Sequence, residues 1–456
     1  MSLTNKHGAE GNASRKKSKS SQFSKWFSWA GVIASVLLFA YIFWRAEVVY
    51  GGARSAIYFK YYLISLFFLG FWLFVLRLKQ LWRINIVTTF ISLVMAIYLS
   101  EGILQLSSYF KVNPKSKIEV LDDFIASGID AVPAVRPRDV LGVNSSLLPL
   151  SGVANITTVG ENESGKWAVY KSDRYGLNNP DFEWSASSVD WLLTGDSFTE
   201  GVAVQPGEDI AGQIRKLTQE HVINLGRSGN GPLTELAGIV EYAPIIEPKK
   251  VLWIYYEFND LGGDLHREKT SEILMKYLDN NFSQNLVDRQ PEVNKLIRKY
   301  LPQAQAQAQA QAQVLAQSQK WYWTRLVGIR SLIKFDSFDA NAAVNIDPLF
   351  SNILFKAKSI VEKWDGRLYF VYLPDFSRYI DPDIDHQQYL EKSKVFDVVN
   401  GLNIPIVDIH QKVFSKHEDP ISLFVDRKNN HYNAKGYALV AKEIATSVKE
   451  YEKINK

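Results

Sequence analysis

Leu192-Leu193-Thr194-Gly195-Asp196-Ser197-Phe198-Thr199-Glu200-Gly201 is the stretch on which the reading of this chain turns. Residues Val189 to Leu193, broken only by Asp190, form an apolar run short enough for a buried strand, and it ends in a Gly-Asp-Ser turn. A helical segment, Asp209 to Glu220, follows. In open α/β sheets the carboxyl ends of the strands open onto the crevice where sites are built, so Ser197 is placed to react. Gly195 lets the backbone turn sharply and present the hydroxyl outward. Gly, Asp and Ser are also ordinary turn residues, so this stretch alone fits a plain surface turn equally well.

The chain has 456 residues, enough for more than one domain and a sizeable core. It contains no cysteine, which excludes disulfides, thiolate metal sites and a cysteine nucleophile. The net charge of +4 is small for this length. Much of the basic excess sits in Arg15, Lys16, Lys17, Lys19 and Lys25, in a Ser-rich tail rather than across a folded face with interleaved aromatics. That placement argues against a nucleic-acid partner.

Working outward toward the N-terminus, residues 1–25 read as a disordered cytoplasmic tail. Three apolar stretches follow: Trp26 to Trp44, Tyr61 to Leu76 (extendable to Ala56 when Lys60 snorkels) and Ile84 to Ser100. Each is about long enough to cross a hydrocarbon core of roughly 20 helical residues, so residues 26–102 are expected to hold three transmembrane helices in a lipid bilayer. The basic tail and the basic loop Arg77–Arg83 place both on the cytoplasmic side, although Arg45, Arg54 and Lys60 narrow the contrast. Everything after about residue 103 is then extracytoplasmic, which in a bacterium is the periplasmic face of the inner membrane.

Residues 103–165 read as a stalk. Residues 166–456 alternate strands (Val189–Thr194, Val222–Leu225, Val251–Glu257, Leu368–Leu373, Ile406–Ile409) with helices (Asp209–Glu220, Leu233–Tyr242, Phe350–Trp364, His386–Asn400, Ala434–Tyr451). The alternation predicts an α/β fold, a parallel sheet covered on both faces. Residues 263–345, with a Gln-Ala repeat from Gln303 to Gln313, interrupt the rhythm and read as a low-complexity surface insertion, a linker or a lid over the site.

A serine hydroxyl attacks only when a base takes its proton and donors hold the oxyanion. Of seven histidines, His7 lies in the tail, His221 at the wrong end of a strand, and His266, His386 and His417 in polar or charged segments. His410 ends a strand and stays open, while His431, just before the last helix, is the best-placed base. Asn224-Leu225-Gly226-Arg227-Ser228-Gly229 and Phe258-Asn259-Asp260 follow two further strands and offer N–H donors.

These blocks, in this order, resemble the SGNH (GDSL-type) hydrolase superfamily, across about residues 190–440. The resemblance implies a three-layer α/β/α sandwich, Ser197 as nucleophile and His431 as general base. It implies an oxyanion hole from the N–H groups of Ser197 and Gly229 and the Asn259 amide, although Glu257 stands where many members carry glycine. The family places an aspartate two or three residues before the histidine. Asn429 and Lys428 occupy those positions here, so the nearest aspartate, Asp426, is the expected acid, with a Ser-His dyad or a decayed site as alternatives. Ser172 to Pro180 resembles a segment of bacterial envelope members linked to surface polysaccharide, with an Asn-Pro turn as its plain reading. The expected activity is hydrolysis of O-acyl, chiefly acetyl, esters on an envelope or exported glycan, with envelope polysaccharide machinery as a candidate partner. Acyl transfer through the same serine, or a catalytically silent glycan-binding scaffold, are the alternatives. No metal constellation and no dinucleotide or phosphate-cradling motif is visible, so no metal or cofactor is expected.

Overall fold

The computed structural model describes residues 5–49, 55–109, 115–140, 147–302, 346–380, 390–428 and 431–454. The chain forms two compact units. The first contains three helices, α1 (Asn5–Phe43), α2 (Ser55–Arg77) and α3 (Gln80–Tyr109). All three are long and apolar enough to cross a membrane, over Lys19–Val48, Tyr58–Arg77 and Gln80–Ile103. Within this unit Trp72 packs edge-on against Phe27 and Phe90, and the Arg83 guanidinium reaches the Ser24 hydroxyl at 3.3 Å. The basic tail, expected to be disordered, belongs to α1 from Asn5 onward. Propagating an existing helix costs far less per residue than nucleating one.

In the second unit five parallel strands form one sheet in the order β5-β4-β6-β7-β8: β4 (Trp191–Gly195), β5 (Val222–Asn224), β6 (Lys250–Tyr256), β7 (Arg367–Leu373) and β8 (Ile406–Asp408). All five expected strands are present. Side chains alternate across a strand. Leu192, Trp253, Tyr255, Phe370 and Tyr372 accordingly enter a core under the helices Pro232–Tyr242, Pro348–Val361 and Leu390–Gly401. Trp191, Leu193, Leu252, Ile254, Tyr369 and Val371 enter the opposite core, under the helices Ile210–Thr218 and Ala434–Ile454. This is the three-layer α/β/α sandwich. The strand order reverses between β4 and β6, so the crevice opens at their carboxyl ends, beside Ser197.

Two segments depart from expectation. Residues 115–140 and 147–165 are no stalk. They carry α4 (Lys117–Ala126) and the strands β1 (Ala131–Pro133) and β2 (Thr157–Val159), which with β3 (Val169–Lys171) make a small second sheet. Residues 263–302 are no surface insertion, because Leu265, Leu274, Tyr277, Leu286, Val293 and Ile297 are buried in the first core. The two segments pack on each other: Gln284 bonds both the N–H and the carbonyl of Leu148, at 2.7 and 3.1 Å, and Asn294 accepts from the Ala154 N–H at 2.9 Å. The strands of this region are only three residues long, too short for a readable period. The Gln-Ala repeat lies outside the described residues, as do His386 and Asn429.

Candidate active site

Ser197 opens a four-residue helix, Ser197–Glu200, directly after β4. Asp196 caps that helix by accepting the Phe198 N–H at 2.9 Å. Gly195 is required by space: a Cβ there would lie 2.8 Å from the Ile254 carbonyl of the adjoining strand and closer still to the Thr199 hydroxyl. The second block clasps the same helix. Asn224 Nδ2 donates to the Thr199 carbonyl at 2.6 Å, and the Arg227 N–H and Asn230 Nδ2 donate to the Gly195 carbonyl at 3.2 and 3.3 Å. Upstream, Asp173 is buried and accepts from the N–H groups of Tyr175 and Leu177, Asn179 Nδ2 and Trp184 Nε1. Asn179 exchanges two hydrogen bonds with Asn224, at 2.8 and 2.9 Å. The Ser172–Pro180 segment therefore docks the small sheet onto β5.

His431 Nε2 lies 2.7 Å from Ser197 Oγ. The carboxylate on its other face is that of Glu163, not Asp426. Glu163 Oε1 lies 2.7 Å from His431 Nδ1, and Oε2 accepts the His431 main-chain N–H at 3.1 Å. An ionised carboxylate only accepts, so Nδ1 carries the ring proton and Nε2 is left to take that of the serine. Burial raises the Glu163 carboxyl, but hydrogen bonding and attraction to His431 outweigh it and the net shift is downward. Asp426 is excluded by the turn that carries it. An antiparallel bridge joins Phe424 to Tyr432 and the Val425 N–H bonds the His431 carbonyl at 3.0 Å, which leaves Asp426 on the outer turn. Asp426 is 62% exposed and pairs with Lys428 at 3.5 Å.

The remaining sequence candidates are placed as follows. Gly229 has a left-handed φ of 79°, and its carbonyl accepts from Arg267 Nη2 at 3.2 Å. Asn259 follows β6 by three residues and donates through Nδ2 to Asp264 Oδ2 at 2.5 Å. Glu257, in the place of a glycine, is buried against Arg378, with Nε at 3.0 Å. His410 bonds the Tyr379 hydroxyl at 2.8 Å, away from Ser197, and burial lowers its pKa to about 4. Glu163 is the residue that sequence reasoning missed. It stands in an irregular loop 268 positions from His431, and its only signal was being a carboxylate outside any period.

Buried carboxyls surround the crevice floor. Burial, opposed by the Phe198 N–H, pushes Asp196 up to about 6. Burial and repulsion from neighbouring carboxyls push Glu235 and Asp260 well above the carboxylate range. Glu268 accepts from the Gly231 and Leu233 N–H groups at 2.7 and 2.9 Å and from the Thr234 hydroxyl at 2.5 Å, tying down the start of the helix Pro232–Tyr242. Burial still raises it from 4.5 to about 7. Between those values the folded chain holds a proton that the unfolded chain has lost, so stability falls as pH rises through that window. A shift of this size corresponds to about 3 kcal/mol. Thermal melts from pH 4.5 to 8 are therefore expected to show the wild-type midpoint declining toward neutrality more steeply than that of Glu268→Gln.

No family model and no curated relative matches the chain. Solved structures do. A lipase/acylhydrolase from Enterococcus faecalis is 14% identical with a TM-score of 0.32, over 58% of this chain and 96% of that one. The psychrotrophic esterase EstA from Pseudoalteromonas is 12% identical with a TM-score of 0.30, over 59% and 99%. An acetyl xylan esterase, AlAXEase, is 11% identical with a TM-score of 0.31, over 57% and 100%.

Proposed function

We propose that this protein is a membrane-anchored serine esterase of the SGNH type, with the triad Ser197, His431 and Glu163. The observation that carries the reading is the unbroken chain of two 2.7 Å contacts from Ser197 Oγ through the imidazole to Glu163. Ser197 Oγ bonds to the acyl carbon and its proton passes to His431 Nε2. The carbonyl oxygen takes up negative charge among the N–H groups of Ser197 and Gly229 and the Asn259 amide. Collapse breaks the ester bond, and the leaving alcohol takes the proton from His431. Water then attacks the acyl-serine with His431 again as base, releasing the carboxylic acid and the free serine. The three long apolar helices support tethering to a bilayer. The basic tail and Arg77–Arg83 loop support an outward-facing catalytic unit, hence an acetylated envelope or exported glycan as substrate.

The test uses the full-length chain in detergent with a fluorophosphonate probe. Wild type is expected to label at Ser197. Ser197→Ala and His431→Ala are expected to take no label. Folded wild type that takes no label overturns the esterase. Release of acetate from acetylated glycan identifies hydrolysis, and transfer to a second glycan without net release identifies an acyltransferase.

A further inference from the structure

Two residues outside the triad hold both outlying parts of the oxyanion site. Asp264 is 3% exposed. Its Oδ2 accepts from Asn259 Nδ2 at 2.5 Å and its Oδ1 from Arg267 Nη2 at 2.5 Å. The same Nη2 donates to the Gly229 carbonyl at 3.2 Å. One side-chain pair thus connects the Asn259 amide, after β6, to Gly229, in the loop after β5.

Three observations make this contact more than incidental. A carboxylate offers only acceptors, so Asp264 decides which end of the Asn259 carboxamide is which: the NH2 group must face it, and the amide keeps its second N–H for another acceptor. Asn259 Oδ1 is buried with no partner among the described residues, and the Asn259 side chain also donates toward the Asp196 carboxyl, so Asp264 and Asp196 favour the same orientation. The loop also sits directly on Asp264, since a Cβ at Gly231 would lie 2.7 Å from Asp264 Cβ.

Charge gives Arg267 its part. Asp264 is a buried carboxylate against the Asn259 amide. A carbonyl oxygen gaining negative charge beside that carboxylate is repelled unless a cation offsets it. Arg267 pairs with Asp264 and holds Gly229 with the same nitrogen.

We propose that Asp264 and Arg267 are positioning residues for the oxyanion site, Asp264 by orienting the Asn259 carboxamide and Arg267 by neutralising Asp264 and anchoring Gly229. This rests on the esterase reading and deepens it. Supporting partners of a reacting group are typically worth about 10- to 100-fold, and a donor itself more.

The experiment measures p-nitrophenyl acetate hydrolysis by the full-length chain, with labelling of Ser197 by fluorophosphonate in parallel. Asp264→Ala is expected to lower kcat by about 10- to 100-fold with KM nearly unchanged, and to weaken a trifluoromethyl ketone, which mimics the tetrahedral oxyanion, by a like factor. Asp264→Asn keeps one acceptor oxygen and is expected to recover part of the loss. In an Asn259→Ala background, Asp264→Ala is expected to cost little more, because the amide it orients is gone. Arg267→Met, at a side chain 38% exposed, tests the pair from its exposed side and is expected to lower kcat in the same way. An equal loss on Asp264→Ala with and without Asn259 overturns the proposal, as does an unchanged kcat in Arg267→Met. Wild type that takes no label at Ser197 overturns the esterase reading instead.

Discussion

Glu163→Gln is expected to lower kcat/KM for ester hydrolysis by about four orders of magnitude, the loss seen when the orienting carboxylate of a serine triad becomes an amide. Asp426→Asn is expected to leave it within about twofold, as a surface substitution away from the site does. The reason lies in how Glu163 is used. One oxygen faces His431 Nδ1 and the other faces the His431 main-chain N–H. Glutamine has a single acceptor oxygen. The main-chain N–H is always a donor and claims that oxygen, which turns the amide NH2 toward Nδ1. The ring must then carry its proton on Nε2, pointing at the serine whose proton it should accept. Asp426 touches neither atom and pairs with Lys428 in solvent. Steady-state kinetics on the two variants decide the matter. A large loss in Asp426→Asn with Glu163→Gln unaffected would restore the sequence assignment.

Arg227→Met is expected to destabilise the second unit by about 3–5 kcal/mol, the usual consequence of removing one partner of a buried ion pair. Arg227 is 1% exposed. Its guanidinium bonds Glu200 Oε1 at 2.8 Å, the Tyr170 hydroxyl at 2.9 Å and the Val135 carbonyl. Glu200 Oε2 in turn accepts the Ser228 N–H at 2.6 Å. Without the cation, Glu200 would remain as a buried charge with too few donors. Stability of a domain totals only about 5–15 kcal/mol, so the shift is readily seen as a lower denaturation midpoint. Removing both charges, in Arg227→Met with Glu200→Gln, is expected to restore part of it. Arg227, in the loop after β5, also joins the nucleophile helix (Glu200) to the small sheet (Tyr170) whose neighbouring loop delivers Glu163.

The sequence by itself determined the elements that have a period. Apolar runs marked the five strands, and lengths of uninterrupted apolar residues marked the three long helices. The turn Gly195-Asp196-Ser197 marked a serine at the carboxyl end of β4, and His431 was marked three residues before the last helix. These are local properties, settled by pleat, turn and helix geometry over ten or twenty residues. Only the tertiary structure decided which carboxylate meets the imidazole. Asp426 is only five residues from His431, yet it stands exposed and paired with Lys428. Glu163 is 268 residues away and arrives on a loop whose position is set by Arg227, Asp173 and Asn179. A hydrogen bond between loops leaves no trace in the hydrophobic pattern of either one. The packing of residues 147–156 against 284–294 was hidden for the same reason: its bonds run between side-chain amides and irregular backbone, which carry no repeat to read.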